Sequence, residues 1–432
     1  MPAEITVLCA VSGPAEPDVV LTLGEPGSRV SVTRRCGDLA ELLAASAAGA
    51  GSVAVVSADL PGLDREAVGR LHAAGTRVVA LADDGPVERV EALGVEAVVH
   101  GPADPRFLDA VRDTAPIDDP LATSEIDLTG LAGRGGDHEQ GSVVAVWGPV
   151  GAPGRTTTAV ELAAELAGLG GAAGRRRRRR GAAGGPVPEP TLLVDADTYG
   201  SCVAARLGLL DDAPGLAAAA RAAGQGTLDL PTLARHAPVV EGRLRVLAGI
   251  TRASRWPELP SSALEVVLER ARALARWTVV DCGPLLEVDE MLMYDTHAPQ
   301  RNAATLAALQ AADVVVVVGA ADPVGIQRLV RALEDLGEAP VPVSGRQVVV
   351  ANRLRSAAVG SDPARAVGQA LARYGGVEDV HVVPDDGPAL DAAVLAGRTL
   401  AEQAPSSAAR RAFAGLAARV REPATRSAAP VG

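Results

Sequence analysis

The sequence contains no lysine: all 41 of its basic residues are arginine. Chemistry that calls for a compact ammonium must therefore be done by guanidinium, a broad planar fork that is not its equivalent. Aromatic residues are scarce, at 2%, yet 48% of the 432 residues are apolar. A large core is thus affordable, built from Ala, Val and Leu. The four cysteines, Cys9, Cys36, Cys202 and Cys282, show no metal-ligand spacing and read as small buried residues of a reducing cytoplasm. No uninterrupted apolar run is long enough to span a bilayer. The opening MPAEITVLCAVSG lacks a basic n-region and a long apolar stretch, so no signal peptide is expected. A net charge of −12 excludes a surface that coats nucleic acid or membrane indiscriminately, though not a local basic patch. No internal repeat is evident. The expectation is a cytoplasmic chain of two or three domains.

What is present is organised around Val143–Ala167: VVAVW, then GPVGAPGRTTT, then AVELAAELA. A β-branched strand, a Gly/Pro loop and a helix in that order are the parts of a phosphate cradle. Backbone N–H groups of the loop converge on an anion, and the helix N-terminus adds partial positive charge. The candidate binding residues are Gly151, Ala152, Pro153, Gly154, Arg155, Thr156 and Thr157. Gly151 and Gly154 let the backbone approach closely, and Thr156 is placed to coordinate Mg²⁺. The loop is a degenerate Walker A motif: the first glycine of the pattern falls on Pro149, and Arg155 replaces the phosphate-binding lysine. In the helix, Val160, Ala163 and Leu166 share an apolar face, with Glu161 and Glu165 on the other. Taken alone, the loop could equally be a Gly/Pro turn of any α/β protein, and the decision rests on what lies downstream.

Residues 1–115 alternate strands (ITVLCAV, SRVSVTR, SVAVVS, RVVALAD, EAVVHG) with helices, which implies a parallel sheet covered on both faces. VAVVSADLPGLD resembles the central strand and loop of a response-regulator receiver domain. In that family the phosphorylated aspartate lies four residues before the loop proline, and here that place is Ser57. The acidic pair expected after the first strand is absent, since it ends in Ala10, Val11 and Ser12. The lysine expected after the last strand is replaced near His100. The resemblance therefore implies a flavodoxin-like pseudo-receiver, a docking or dimerising module, with Asp59 a solvated loop acid. Residues 116–141, rich in Asp, Gly, Thr and Ser, read as a linker. The span 168–190 carries Arg175–Arg180 in a row between glycine-rich flanks and reads as a disordered insertion, on the sheet edge away from the nucleotide. Its ordinary role is a solvated loop; the sharper alternative is contact with DNA phosphates or anionic lipid. A nucleotide-binding domain is expected over 142–421 and a disordered tail over 422–432.

Five further strand-like runs follow the loop helix, TLLVDAD, LRVLAGI, WTVVDCG, VVVVVG and QVVVAN, with VHVVP after them. Each is nearly continuous Val, Leu and Ile, as in parallel strands buried on both faces. Asp195 and Asp197 end one strand beside the expected phosphates. One carboxylate can hold a Mg²⁺-bound water while the other orients an attacking water. In VVDCGP, Asp281 follows four mostly apolar residues, as a Walker B acid does, and Gly283 suits a turn that senses the terminal phosphate. In VVVANR, the Asn352 amide can pair with an adenine edge, and Arg353 can flank the ring. The segment 287–305, with His297, Arg301 and Asn302, is polar enough for a switch or partner-binding surface. Trp256, Trp277 and Tyr199 read as packing anchors.

Strand–loop–helix, LLVDADTYG, VVDCGP, VVVANR and VVPDD come in the order seen in ParA/MinD-type P-loop ATPases, and the chain from about Ser142 to Val420 resembles that family. With the N-terminal pseudo-receiver, the whole is similar to the CpaE/TadZ-like branch, whose members help position pili, secretion machines or the septum. The resemblance implies ATP and Mg²⁺ as cofactors, a homodimer, and partners in a pilus, secretion, division or chromosome-partitioning assembly. It assigns Asp197 as the water-positioning switch residue, Thr156, Asp195 and Asp281 to the metal, and Pro384 and Asp385 to the loop that closes over the base. It also marks an absence. The family carries a second lysine early in the loop that reaches the nucleotide of the opposite subunit, and here that place is Val150. Two readings follow: a slow ATPase switch, favoured by Asp195, Asp197 and Asp281, and a nucleotide-binding scaffold without turnover, favoured by Val150. A nitrogenase-reductase-like iron–sulfur enzyme would need two cysteines per subunit near a dimer axis, and only Cys282 lies near the switch.

Overall fold

The computed structural model describes residues 4–82, 87–114, 140–169, 188–209, 214–288 and 299–423. Most of the 116–141 linker, the Arg175–Arg180 run, His297 and nearly all of the 422–432 tail lie outside them. The chain divides into two compact units, one within Met1–Glu139 with Arg221–Leu228, the other within Gln140–Ala220 and Asp229–Gly432.

In the first unit, five strands form one parallel sheet: β1 (Ile5–Ala10), β2 (Val30–Arg35), β3 (Val53–Ser57), β4 (Arg77–Leu81) and β5 (Ala97–Val99). Their order is β2-β1-β3-β4-β5, a doubly wound arrangement. Every residue of β3 is buried. Apolar layers cover both faces, one around Leu8, Val56 and Leu71 and the other around Val7, Val55 and Phe107. Two helices have their starts set by aspartates: Asp38 accepts from Glu41 N and Asp64 from Ala67 N, each at 2.8 Å. At the carboxyl end of β3, the Ser57 hydroxyl accepts a hydrogen bond from Ser12 N at 3.0 Å. Asp59 is exposed.

The second unit is built on eight strands: β6 (Ser142–Trp147), β7 (Thr191–Ala196), β8 (Val239–Glu241), β9 (Leu244–Leu247), β10 (Trp277–Cys282), β11 (Val314–Ala320), β12 (Arg346–Leu354) and β13 (Val380–Pro384). Their order is β13-β12-β11-β6-β10-β7-β9-β8. All neighbours are parallel except the antiparallel pair β8 and β9. β8 has no counterpart among the strands expected from sequence. It is three residues long, and its residues alternate between exposed and half-buried, so it carries no buried-strand signature.

The face of the loop helix that carries Glu161 and Glu165 is covered as well: the helix Arg155–Leu166 is buried continuously from Thr158 to Leu166. Arg206 donates to Glu161 Oε1 at 2.9 Å, and Leu400 N donates to its Oε2 at 2.9 Å. Arg410, on helix Ala408–Arg421, forks onto both oxygens of Glu165 at 2.7 and 2.8 Å. A helical period separates apolar from charged residues, but it cannot reveal arginines that arrive from some 40 to 250 residues away to neutralise the charged face.

Candidate functional site

β6 lies between β11 and β10, so the loop leaving its carboxyl end is flanked by the ends of both. The loop is shaped by unusual backbone angles: Gly151 at φ +104°, Ala152 at +52° and Gly154 at +97°. Gly154 is the N-cap of the loop helix and no side chain caps it, which leaves the first-turn N–H groups directed at the loop's concavity. At Gly154 a side chain is also excluded sterically. A Cβ there would stand 2.3 Å from Asn352 Nδ2.

Asn352, buried near the end of β12, donates from Nδ2 to Pro153 O at 2.8 Å and accepts from Arg353 N at 2.9 Å. It therefore braces the loop, a role that the sequence did not announce. Arg353 follows in the left-handed region at φ +58° and is exposed. Pro384 is registered beside Leu354, and Asp385 N donates to Leu354 O at 3.0 Å. The ends of β12 and β13 thus place Asn352, Arg353, Pro384 and Asp385 at one sheet edge.

Arg155 turns its side chain back across the loop. Nη1 donates to Gly148 O at 3.2 Å and Pro149 O at 2.9 Å, and Nε donates to Cys282 O at 3.2 Å. Its Nη2 lies 3.8 Å from Asp197 Oδ2. Asp197 in turn accepts from Tyr199 N at 2.9 Å and Gly200 N at 3.1 Å, a turn of the kind short acidic side chains nucleate.

Asp195 and Asp281 are direct neighbours in the β7–β10 register. Their partners differ. Asp195 accepts from Ser201 Oγ at 2.8 Å, Val203 N at 3.0 Å and Asp197 N at 3.2 Å. Asp281 is fully buried, and neither carboxylate oxygen has a partner of normal hydrogen-bond geometry. Burial pushes the carboxyl of Asp281 well above the usual range, and the charge of Asp195 adds to this; the approaching Thr156 hydroxyl favours the ionised form. Asp195 is also pushed up by burial, against the pull of Ser201 and two backbone N–H groups. The Arg155 guanidinium serves two of these buried acids, Asp197 at 3.8 Å and, through its charge, Asp281. Of the residues expected to serve a metal, Asp281 has uncommitted oxygens, whereas Asp195 is engaged in holding its own turn.

Tyr199 does more than pack. Its hydroxyl donates to Asn302 Oδ1 at 2.7 Å, and the Arg301 guanidinium lies 3.9 Å from its ring centroid. Thr198 Oγ1 donates to Arg301 O at 3.0 Å, and Asn302 Nδ2 to Glu287 O at 2.6 Å. The turn after β7 is thereby tied to the segment after β10. Trp277 donates from its indole to Glu189 at 2.9 Å. One further residue reaches the loop from outside every motif: Arg328, whose guanidinium lies over Gly151.

A parallel sheet with a glycine loop and an uncapped helix after its central strand, and acids at the ends of the neighbouring strands, defines the P-loop α/β class. Among solved structures, the chain is similar to a ParA family ATPase from Chlorobium tepidum, with a TM-score of 0.50 at 16% identity over 64% of this chain and 98% of that one. It is also similar to the septum site-determining protein MinD of Pyrococcus horikoshii, complexed with Mg-ADP (TM-score 0.46, 16% identity, 65% and 96% covered). A third is the cell division ATPase MinD of Pyrococcus furiosus (0.46, 18%, 65% and 98%). Over the 64% of the chain that the first of these covers, the fold is that of the ParA family ATPase. No protein-family model matches the chain. No curated protein matches it either.

Proposed function

We propose that the chain is an ATP-binding, slowly hydrolysing protein that acts as a nucleotide-dependent positioning switch for a cellular assembly. The observation that carries this is Asp281: an acid buried with only the Thr156 hydroxyl approaching it, beside an open helix N-terminus and an Arg155–Asp197 pair. A scaffold with no ligand there would gain stability by replacing that buried acid with an apolar residue.

The residues fit Mg²⁺. Among the described residues no group of three or more His, Cys, Asp or Glu has metal-holding geometry. That suits an ion held mostly by phosphate oxygens and waters, as Mg²⁺ commonly is. Thr156 and Asp281 would hold it, with Asp195 behind them, and its chemistry would be to neutralise charge on the phosphates. The chain's own groups do the rest. Loop N–H groups and Arg155 bind phosphate, and Asp197 orients the attacking water. Asn352 sets the loop's shape, and Arg353, Pro384 and Asp385 offer the surface for the base.

The pseudo-receiver reading of the first unit is supported by its strand order and by the Ser57–Ser12 hydrogen bond at the place of an acceptor carboxylate. Together with the fold of the second unit it favours the CpaE/TadZ-like branch, a homodimer, and partners in a pilus, secretion, division or partitioning assembly. Peripheral contact with DNA or anionic membrane would fall to Arg175–Arg180. No helix among the described residues is long and apolar enough to cross a membrane. The second reading, a nucleotide-binding scaffold without turnover, is favoured by Val150, apolar and half exposed where the family has its second lysine.

The test is thermal unfolding with Mg·ATP and Mg·ADP. A ligand at about 100 times its Kd stabilises by about 2.7 kcal/mol. No shift at millimolar ATP would end the nucleotide reading.

A further inference from the structure

Helix Pro323–Gly337 starts just after β11, the strand beside β6, so its first turns rise at the same sheet edge as the glycine loop. Asp322 caps it by accepting from Gly325 N at 2.8 Å. Leu329 is fully buried against Gly319, and this seating sets the rotation of the helix about its axis. Arg328 is thereby brought to the loop. A Cβ built on Gly151 would stand 2.0 Å from Arg328 Nη1 and 3.2 Å from its Cζ. The absence of a side chain at Gly151 is what lets the guanidinium sit there.

Arg328 is exposed. Among the described residues no carboxylate pairs with it. An uncompensated guanidinium against an anion cradle raises the local positive potential. The loop itself supplies one cation, Arg155, which leans toward β10 through Cys282 O. Arg328 approaches from the β11 side, so the two arginines flank the loop.

We propose that Arg328 is a phosphate-binding residue of this site. It brings from a neighbouring helix a second cation to stand with Arg155 at the loop, and it favours nucleoside triphosphate over diphosphate. The inference rests on the nucleotide reading above. A fixed cation gains most from the ligand with the greater charge, and a guanidinium can engage phosphate oxygens with two N–H groups at once.

The experiment is calorimetric titration of the full chain with Mg·ATP and Mg·ADP, comparing wild type, Arg328→Ala, Arg328→Lys and Arg331→Ala. Each apo protein is also melted. Arg328→Ala is expected to weaken ATP roughly ten- to hundredfold, as loss of a charge-assisted contact does, and ADP clearly less. Arg328→Lys should retain most of the difference between the nucleotides, and Arg331→Ala all of it. Unchanged affinities, equal losses for ATP and ADP, or a lowered apo melting temperature for Arg328→Ala would overturn the proposal and leave the nucleotide reading standing. If wild type binds neither nucleotide, both fall together.

Discussion

Arg155 Nη2 lies 3.8 Å from Asp197 Oδ2, and the same guanidinium holds the carbonyls of Gly148, Pro149 and Cys282. One side chain thus links the loop, the end of β10 and the turn after β7. Any anion entering the loop meets a cation already committed to those carbonyls, so binding must draw Arg155 away from some of them.

Two variants at this pair separate switch from scaffold. Arg155→Ala should weaken ATP binding roughly ten- to hundredfold, because it removes the only cation within the loop. Asp197→Ala should keep or tighten ATP affinity, since a carboxylate near phosphates repels them by on the order of a few kcal/mol at an effective dielectric of about 20. The same variant should abolish slow hydrolysis. Phosphate release at the same rate from wild type and Asp197→Ala, neither above buffer, would leave only the scaffold.

Asp281→Asn removes a buried acid whose oxygens have no partner of normal hydrogen-bond geometry in the apo chain. The variant should melt no lower than wild type without ligand, because an unpaired buried carboxylate costs stability. It should lose the part of the ATP-induced stabilisation that depends on Mg²⁺. Equal Mg²⁺ dependence in the two proteins, seen by melting with and without EDTA, would remove Asp281 from the metal site.

Glu161 links stability to pH. Burial raises its carboxyl to about 7, against the opposing pull of Arg206 and Leu400 N. Between its ordinary value of 4.5 and about 7 the folded chain keeps a proton that the unfolded chain has released. Stability from this group is therefore complete below that window and declines as pH rises through it, by about 3 kcal/mol at most. Glu161→Gln should flatten that part of the profile. Urea unfolding of both proteins at about pH 5 and about pH 7.5 checks the sign.

Arg410→Ala should cost about 3–5 kcal/mol, because it strands Glu165 in the interior. Replacing both Glu165 and Arg410 with leucine should cost much less, since no buried charge remains. A double-mutant cycle in denaturant gives the coupling, and a coupling near zero would show that the pair is neutral to the fold.

In the first unit, acetyl phosphate or beryllofluoride should leave the protein unmodified by mass spectrometry and its amide spectrum unchanged around Ser57. Shifts clustered at Asp59 would mean that the exposed acid is the acceptor.

The parallel strands, though not the antiparallel β8, were legible from the sequence because strands buried on both faces must be apolar throughout. Val314–Val318 or Val53–Val56 can be little else. The loop was legible as well, since Gly151 and Gly154 sit where backbone angles exclude most side chains. What only the tertiary structure decided is which charges meet. Nothing local to Asp281 says that its oxygens go unpaired while those of Asp195, its neighbour across the register, are taken. Nor does the period of the loop helix show Arg410 closing over Glu165, or a helix turn after β11 bringing Arg328 to Gly151. Hydrophobic patterning is a property of short windows, set by the repeat of helix and strand. Charge pairing is set by which distant segments the folded sheet places side by side.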